Sequence, residues 1–152
     1  MSIVEGTVDL TKDFAEPIDV VFAAWSSEEA QRIWSDPGND WEMSFERFRF
    51  TVGEVDICRF GPRGGQQYIN ENRYLAIERE KRIVCSTSLR INDRLNFAGT
   101  LAVTFEPGHR GTRLRIIEQG LYFEGEDGIE GHRSGWQSML SALGEYLTTD
   151  RR

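Results

Sequence analysis

From Glu42 to Phe123 apolar residues recur at every second position through six successive segments, and from Ile129 they recur every three or four. A period of two marks a strand with one buried face, and a period near 3.6 marks an amphipathic helix. The six segments are Glu42–Phe50, Glu54–Phe60, Gln67–Ile77, Arg82–Ile91, Leu95–Phe105 and Thr112–Phe123. Between them stand Val52-Gly53, Gly61-Pro62-Arg63-Gly64-Gly65, Glu78–Lys81, Asn92-Asp93 and Pro107-Gly108-His109-Arg110-Gly111. Links this short join antiparallel neighbours, because parallel strands need a crossover of a dozen or more residues. A run of hairpins followed by one long, one-sided helix is an α+β chain. That helix must bury its stripe against a face of the sheet. If the sheet curves strongly around it, a cavity can remain between the two.

The remaining elements follow from local signals. Thr7–Phe14 alternates as a first strand, and Pro17 suits the first turn of a helix over Ile18–Ala24. Ser26 and Ser27, followed by Glu28 and Glu29, look like a cap with acids in the first turn of a second helix. That helix runs to about Trp34 and stops before Asp36-Pro37-Gly38. The last helix spans Ile129–Leu147, with Trp136, Met139, Leu140, Leu143 and Leu147 on one stripe and Tyr146 beside it. Asp127 and Glu130 lie near its positive end. No repeat or linker divides the chain, so residues 1–152 read as one domain. A domain of this length buries roughly 70% of its unfolded surface, enough to fold without a disulfide or structural metal.

Charge excludes several classes of partner. The formal net charge is −7, and residues 1–50 carry all of it, with 11 acids against 4 bases. An acidic chain lacks the basic surface that nucleic acid or an anionic membrane requires. No apolar run is long enough to span a bilayer, and the first residues carry no basic or apolar leader. Two cysteines, Cys58 and Cys85, and no Asn-x-Ser/Thr site suit a cytoplasmic protein.

Four stretches together resemble a known family. They are Phe14-Ala15-Glu16-Pro17-Ile18-Asp19-Val20-Val21-Phe22-Ala23-Ala24-Trp25; Arg73-Tyr74-Leu75-Ala76-Ile77 with Arg82-Ile83-Val84; Gly111-Thr112-Arg113-Leu114 with Glu118-Gln119-Gly120; and Gly135-Trp136 with Leu140, Leu143 and Leu147. Their order and spacing resemble the START-like (SRPBCC) superfamily. Within it they resemble the group related to the C-terminal domain of the Hsp90 ATPase activator Aha. The likeness covers nearly the whole chain. One departure is Arg79-Glu80, where many members place proline in the central hairpin turn. The resemblance implies a helix-grip fold, in which a curved antiparallel sheet wraps a long C-terminal helix. It implies function less narrowly, since the superfamily includes binders of small hydrophobic ligands, polyketide cyclases and members without known activity.

Strand parity selects the residues expected to face inward. With Arg113 and Arg115 in water, Leu114, Ile116 and Glu118 point in. With Glu54 and Asp56 in water, Val55, Ile57 and Arg59 point in. With Glu71 and Arg73 in water, Tyr68, Asn70, Asn72 and Tyr74 point in, and Leu95, Phe97, Leu101, Val103 and Phe105 form an apolar inner row. A carboxylate among apolar groups needs partners. One reading of Glu118 is a polar cluster with Arg59 and Tyr74 that orients a ligand or serves as acid and base. The other is a carboxylate at the strand end that meets water. Trp34, Phe45, Trp136 and Met139 are candidates for cavity walls, with plain core packing as the alternative, notably for Trp136 and Met139.

Other chemistry finds no support. Cys58, Cys85, His109 and His132 lack zinc-ligand spacing, and Glu124-Gly125-Glu126-Asp127-Gly128 lacks the alternating ligands of a calcium loop. No metal or other cofactor is expected. There is no nucleophile elbow and no phosphate-binding glycine motif. Cys58 reads as a core-side or outer-face thiol, and neither histidine looks placed for a Ser–His or Cys–His pair. Three functions stay open. One is a module enclosing a small hydrophobic molecule, neutral or else cationic, because the acidic short helices border the pocket mouth and disfavour an anion. Another is a cyclase-type or hydrolase-type enzyme using Glu118. The third, from the resemblance, is a co-chaperone with a chaperone partner docked on the acidic third. A homodimer is compatible with the sequence.

Overall fold

In the computed structural model, which describes residues 3–123 and 128–150, every expected strand forms. The order is β1 (Val4–Phe14), α1 (Ile18–Ser26), α2 (Glu28–Trp34), β2 (Trp41–Arg47), β3 (Val55–Pro62), β4 (Tyr68–Glu78), β5 (Arg82–Ile91), β6 (Arg94–Pro107), β7 (Thr112–Tyr122) and α3 (Ile129–Glu145). A π-helical turn, Tyr146–Asp150, prolongs α3. The acidic stretch before Gly128, Asp127 included, lies outside the described residues.

The strands form one antiparallel sheet in the order β1-β7-β6-β5-β4-β3-β2, so β2 to β7 are successive hairpins and β1 closes onto β7. Turn chemistry sets the registers. Asn92 and Asp93 both take positive φ, the conformation of a two-residue hairpin whose twist matches that of its strands. In the turn that lacks the proline, Glu80 is left-handed, with φ 63°. On the outer face Asp9 pairs with Arg115 and Asp13 with Arg113 across β1 and β7. Such exposed pairs contribute little energy but agree with this register.

The inner face curls around α3. Gly6, Gly120 and Gly99 stand side by side on β1, β7 and β6. A Cβ on Gly120 would lie 2.3 Å from the Ala98 carbonyl oxygen, and one on Gly99 would lie 2.1 Å from that of Gln119. On Gly6 it would meet Ile129 at 2.7 Å. The bare backbone here lets the strands bend closely and lets the first residue of α3 settle on them.

The core lies toward the other end of α3. Leu140, Leu143 and Leu147 pack there with Val21, Phe22, Phe105, Leu114 and Ile116. Ser27 caps α2, its hydroxyl accepting from the Ala30 amide at 3.1 Å. The second strand ends at Arg47 and does not reach Phe50, which turns left-handed with φ 45°. Leu95 leaves the expected inner row. A bulge at Asn96 places Leu95 opposite Arg90 while Phe97 stays opposite Leu89, which reverses the parity before it.

Candidate functional site

The apolar stripe of α3 is divided along its length. Its C-terminal leucines fill the core, while Met139 beside Leu140, and Trp136 and His132 one and two turns before it, face a cavity of about 650 Å³. The sheet builds the opposite wall by parity. Phe45 from β2, Cys58 and Phe60 from β3, Tyr74 from β4, Cys85 from β5 and Phe97 from β6 all line it. Trp34 and Asp36 close one side, and the exposure of Asp36 and Pro37 marks where the cavity meets solvent. Pockets that hold small molecules span about 300–1,000 Å³ and are mostly apolar with a few convergent polar groups.

The tryptophans are fixed in place. Trp34 is buried, donates its indole N–H to the Ala24 carbonyl at 2.9 Å, and lies 4.8 Å from Trp25. Trp25 stacks on Trp136 with the rings 15° from parallel. Trp136 and Met139 are both partly buried against the core and line the cavity. The two roles weighed for them therefore coincide at the core boundary.

Two acidic pairs interrupt the apolar lining, beside neutral polar groups such as Asn70, which donates to Thr87 at 3.3 Å. On β7 and α3, Glu118 Oε1 lies 2.7 Å from His132 Nδ1, and these side chains are 7% and 10% exposed. With Glu118 ionised, the Nδ1 proton makes this bond and fixes the ring tautomer. The imidazole packs 4.7 Å from Phe97 and 4.9 Å from Tyr122. Burial pushes the Tyr122 phenol up to about 12, helped by the nearby Glu118 charge.

The second pair lies on β3 and β4. Tyr74 donates its hydroxyl to Asp56 Oδ2 at 2.6 Å, and Asp56 Oδ1 accepts from the backbone N–H groups of Arg49 and Phe50. Burial, and then the Asp56 carboxylate, raise the phenol of Tyr74 well above its ordinary value. Cys58 and Cys85 are free thiols on the cavity wall, pushed up to about 12 by burial, with Asp56 adding to the effect at Cys85. Thiols held protonated in this way are poor nucleophiles.

Arg59 corrects the expected cluster of Glu118, Arg59 and Tyr74. It lies on the outer face and pairs with Glu46 at 2.5 Å. Parity in β3 is the reverse of the expectation: Asp56 is 5% exposed and points inward with Cys58 and Phe60. The expectation took Glu54 and Asp56 to face water, but three donors satisfy Asp56 in the interior. Glu118 does point inward, yet its partner is His132 and not a cation from the sheet. Asp56 and His132 were the residues missed. His132 carried a legible signal, since it precedes Trp136 by four residues and so continues the α3 stripe one turn back. The signal for Asp56 lay in register, because Asn72, expected inside, pairs with it directly.

Among the described residues no three His, Cys, Asp or Glu side chains group as metal ligands, and no helix is long and apolar enough to cross a membrane.

Comparison with known proteins agrees with this geometry. Over residues 15–148 the chain matches the family model described as Activator of Hsp90 ATPase homolog 1-like protein. No curated protein shows a significant match. Among solved structures, protein Mll3558 from Rhizobium loti is 30% identical, with a TM-score of 0.84 over 95% of this chain and 99% of that one. A putative uncharacterized protein from Rhizobium leguminosarum is 25% identical, with a TM-score of 0.84 over 97% of each chain. The AHSA1-like protein from Aeromonas hydrophila, 17% identical, shares the fold with a TM-score of 0.71 over 95% of this chain and 94% of that one. Family model, sheet order and the grip on the last helix together show that the chain belongs to the Activator of Hsp90 ATPase homolog 1-like family of the START-like superfamily.

Proposed function

We propose that this protein encloses a small, largely apolar molecule without negative charge in the space between its sheet and α3. The observation that carries the reading is the cavity of about 650 Å³, walled mostly by aromatic and aliphatic side chains, with two acidic pairs and a few neutral polar groups among them. A core built only for stability closes such a space, since interiors pack about as densely as organic crystals. The test is titration with N-phenylnaphthylamine, a neutral apolar fluorophore. Saturable binding of about one probe per chain, with quenching of Trp25, Trp34 and Trp136, is expected. Met139→Trp fills the cavity from α3 and should abolish that binding. Equal binding by this variant would place the probe elsewhere and refute the reading.

Proton transfer on the bound molecule is a second reading, favoured by the 2.7 Å contact of Glu118 with His132. A carboxylate that orients an imidazole is an arrangement suited to acid–base work. A bound molecule whose mass changes with time on the wild-type protein, but not on Glu118→Gln, would select this reading.

A further inference from the structure

We infer that Glu118 anchors the ammonium group of an apolar amine, an inference that rests on the cavity being a ligand site. No lysine or arginine is among the described residues that line it; the charged groups there are the carboxyls of Asp36, Asp56 and Glu118, with His132 beside the last. An anion entering this space would leave water for a low-dielectric site with fixed like charges and no fixed cation.

The three carboxyls are not equivalent. Asp56 is occupied by Tyr74 and two backbone N–H groups. Asp36 sits exposed at the mouth, where it accepts from the Gly38 amide at 2.8 Å. Glu118 is buried, and its one donor among the described residues is His132, on Oε1. A buried carboxylate is comfortable with two or three donors, so Oε2 has capacity for a ligand N–H. An independent sign comes from the same end of the cavity. Nε2 of His132 is buried there with no partner among the described residues. Fully satisfied interiors seldom leave such atoms, so this end holds more hydrogen-bonding capacity than the protein uses. The ring of Phe97 packs on His132 and lines the same cavity, so the apolar part of the amine meets an aromatic wall there.

The test uses one ring system with three heads: naphthylmethylamine, naphthalenemethanol and naphthoate, each titrated into the wild-type protein by calorimetry at neutral pH. The amine is expected to bind about tenfold or more tighter than the alcohol, and naphthoate weakest of all. Glu118→Gln should weaken the amine about tenfold and leave the alcohol within about twofold. Naphthoate binding as tightly as the amine would overturn the inference. So would an unchanged amine preference in Glu118→Gln, or tight binding of the alcohol alone, and both results would leave the cavity a ligand site. Binding by none of the three would overturn the inference and the ligand-site reading together. The wild-type series reads the charge preference without any substitution, so the test stands even if Glu118→Gln does not fold.

Discussion

The Tyr74–Asp56 bond should be a measurable source of stability, and its size can be worked from its surroundings. Tyr74 is 4% exposed and Asp56 is 5% exposed, so water does not compete freely for either. A hydrogen bond to a charged acceptor contributes about 1.5–3 kcal/mol. Tyr74→Phe keeps the ring against Phe50 and leaves Asp56 its two backbone donors, so a loss of about 2 kcal/mol is expected. Asp56→Ala does more, because it strands the Tyr74 hydroxyl and two N–H groups. Part of that loss is recovered, since the segment at Arg49 is close to water, and a loss of about 3–5 kcal/mol is expected.

The double variant is the sharper measurement. The two single variants break the same bond, so their effects should fail to add by about 1.5–2 kcal/mol. Urea unfolding of the four proteins supplies the cycle, with midpoints compared at equal slopes. Losses that add to within about 0.5 kcal/mol would show that the 2.6 Å contact carries no coupling, and would refute the account of why an acid faces inward on β3.

Alkaline pH should destabilise the fold through its buried thiols and phenols. Cys58, Cys85 and Tyr122 are raised to about 12 and Tyr74 higher, so the folded chain keeps protons that the unfolded chain releases. Their stabilisation is fully present below about pH 9 and is lost as pH rises toward the folded values, by up to about 1.4 kcal/mol per pH unit per group. Denaturation followed from about pH 8 to about pH 11 should show that fall, and Cys85→Ala should flatten it; superimposable limbs would contradict the burial effect. Two glycines should respond in opposite directions. Gly120→Ala drives a Cβ to 2.3 Å from a backbone oxygen and should cost about 3 kcal/mol in urea unfolding. Gly135→Ala, on α3 with nothing within 4 Å, should stabilise by about 0.5–1 kcal/mol, and a gain at Gly120 would refute the close-approach argument.

Much of the architecture could be read locally. Alternation placed Phe97, Leu101, Val103, Leu114 and Ile116 on the inner face, and all five are buried. It also turned Glu118 and Tyr74 inward, and the helical stripe found Trp136 and Met139. The same reasoning failed where a polar residue held the inner position. Asp56 looked like a surface acid, and this inverted β3 and carried Arg59 with it. It failed again at Asn96, where one extra residue reversed the parity of Leu95.

These successes and failures share one cause. Periodicity records which face of an element meets apolar surroundings, because each strand or helix must bury one side wherever it docks. Whether a charge can live inside depends instead on donors brought from far along the chain. Asp56 is satisfied by Arg49, Phe50 and Tyr74, and Glu118 meets a histidine that reaches it only when α3 lies on the sheet. The acidic first third tells the same story. Along the chain it is a block of negative charge, but in the fold Asp9 and Asp13 meet Arg115 and Arg113, and Glu46 meets Arg59. Register across strands set those pairings and left Asp36, Asp56 and Glu118 on a cavity wall that has no lysine or arginine among its described residues. Burial patterns are local properties of a chain, and the partners that make buried charge tolerable are not.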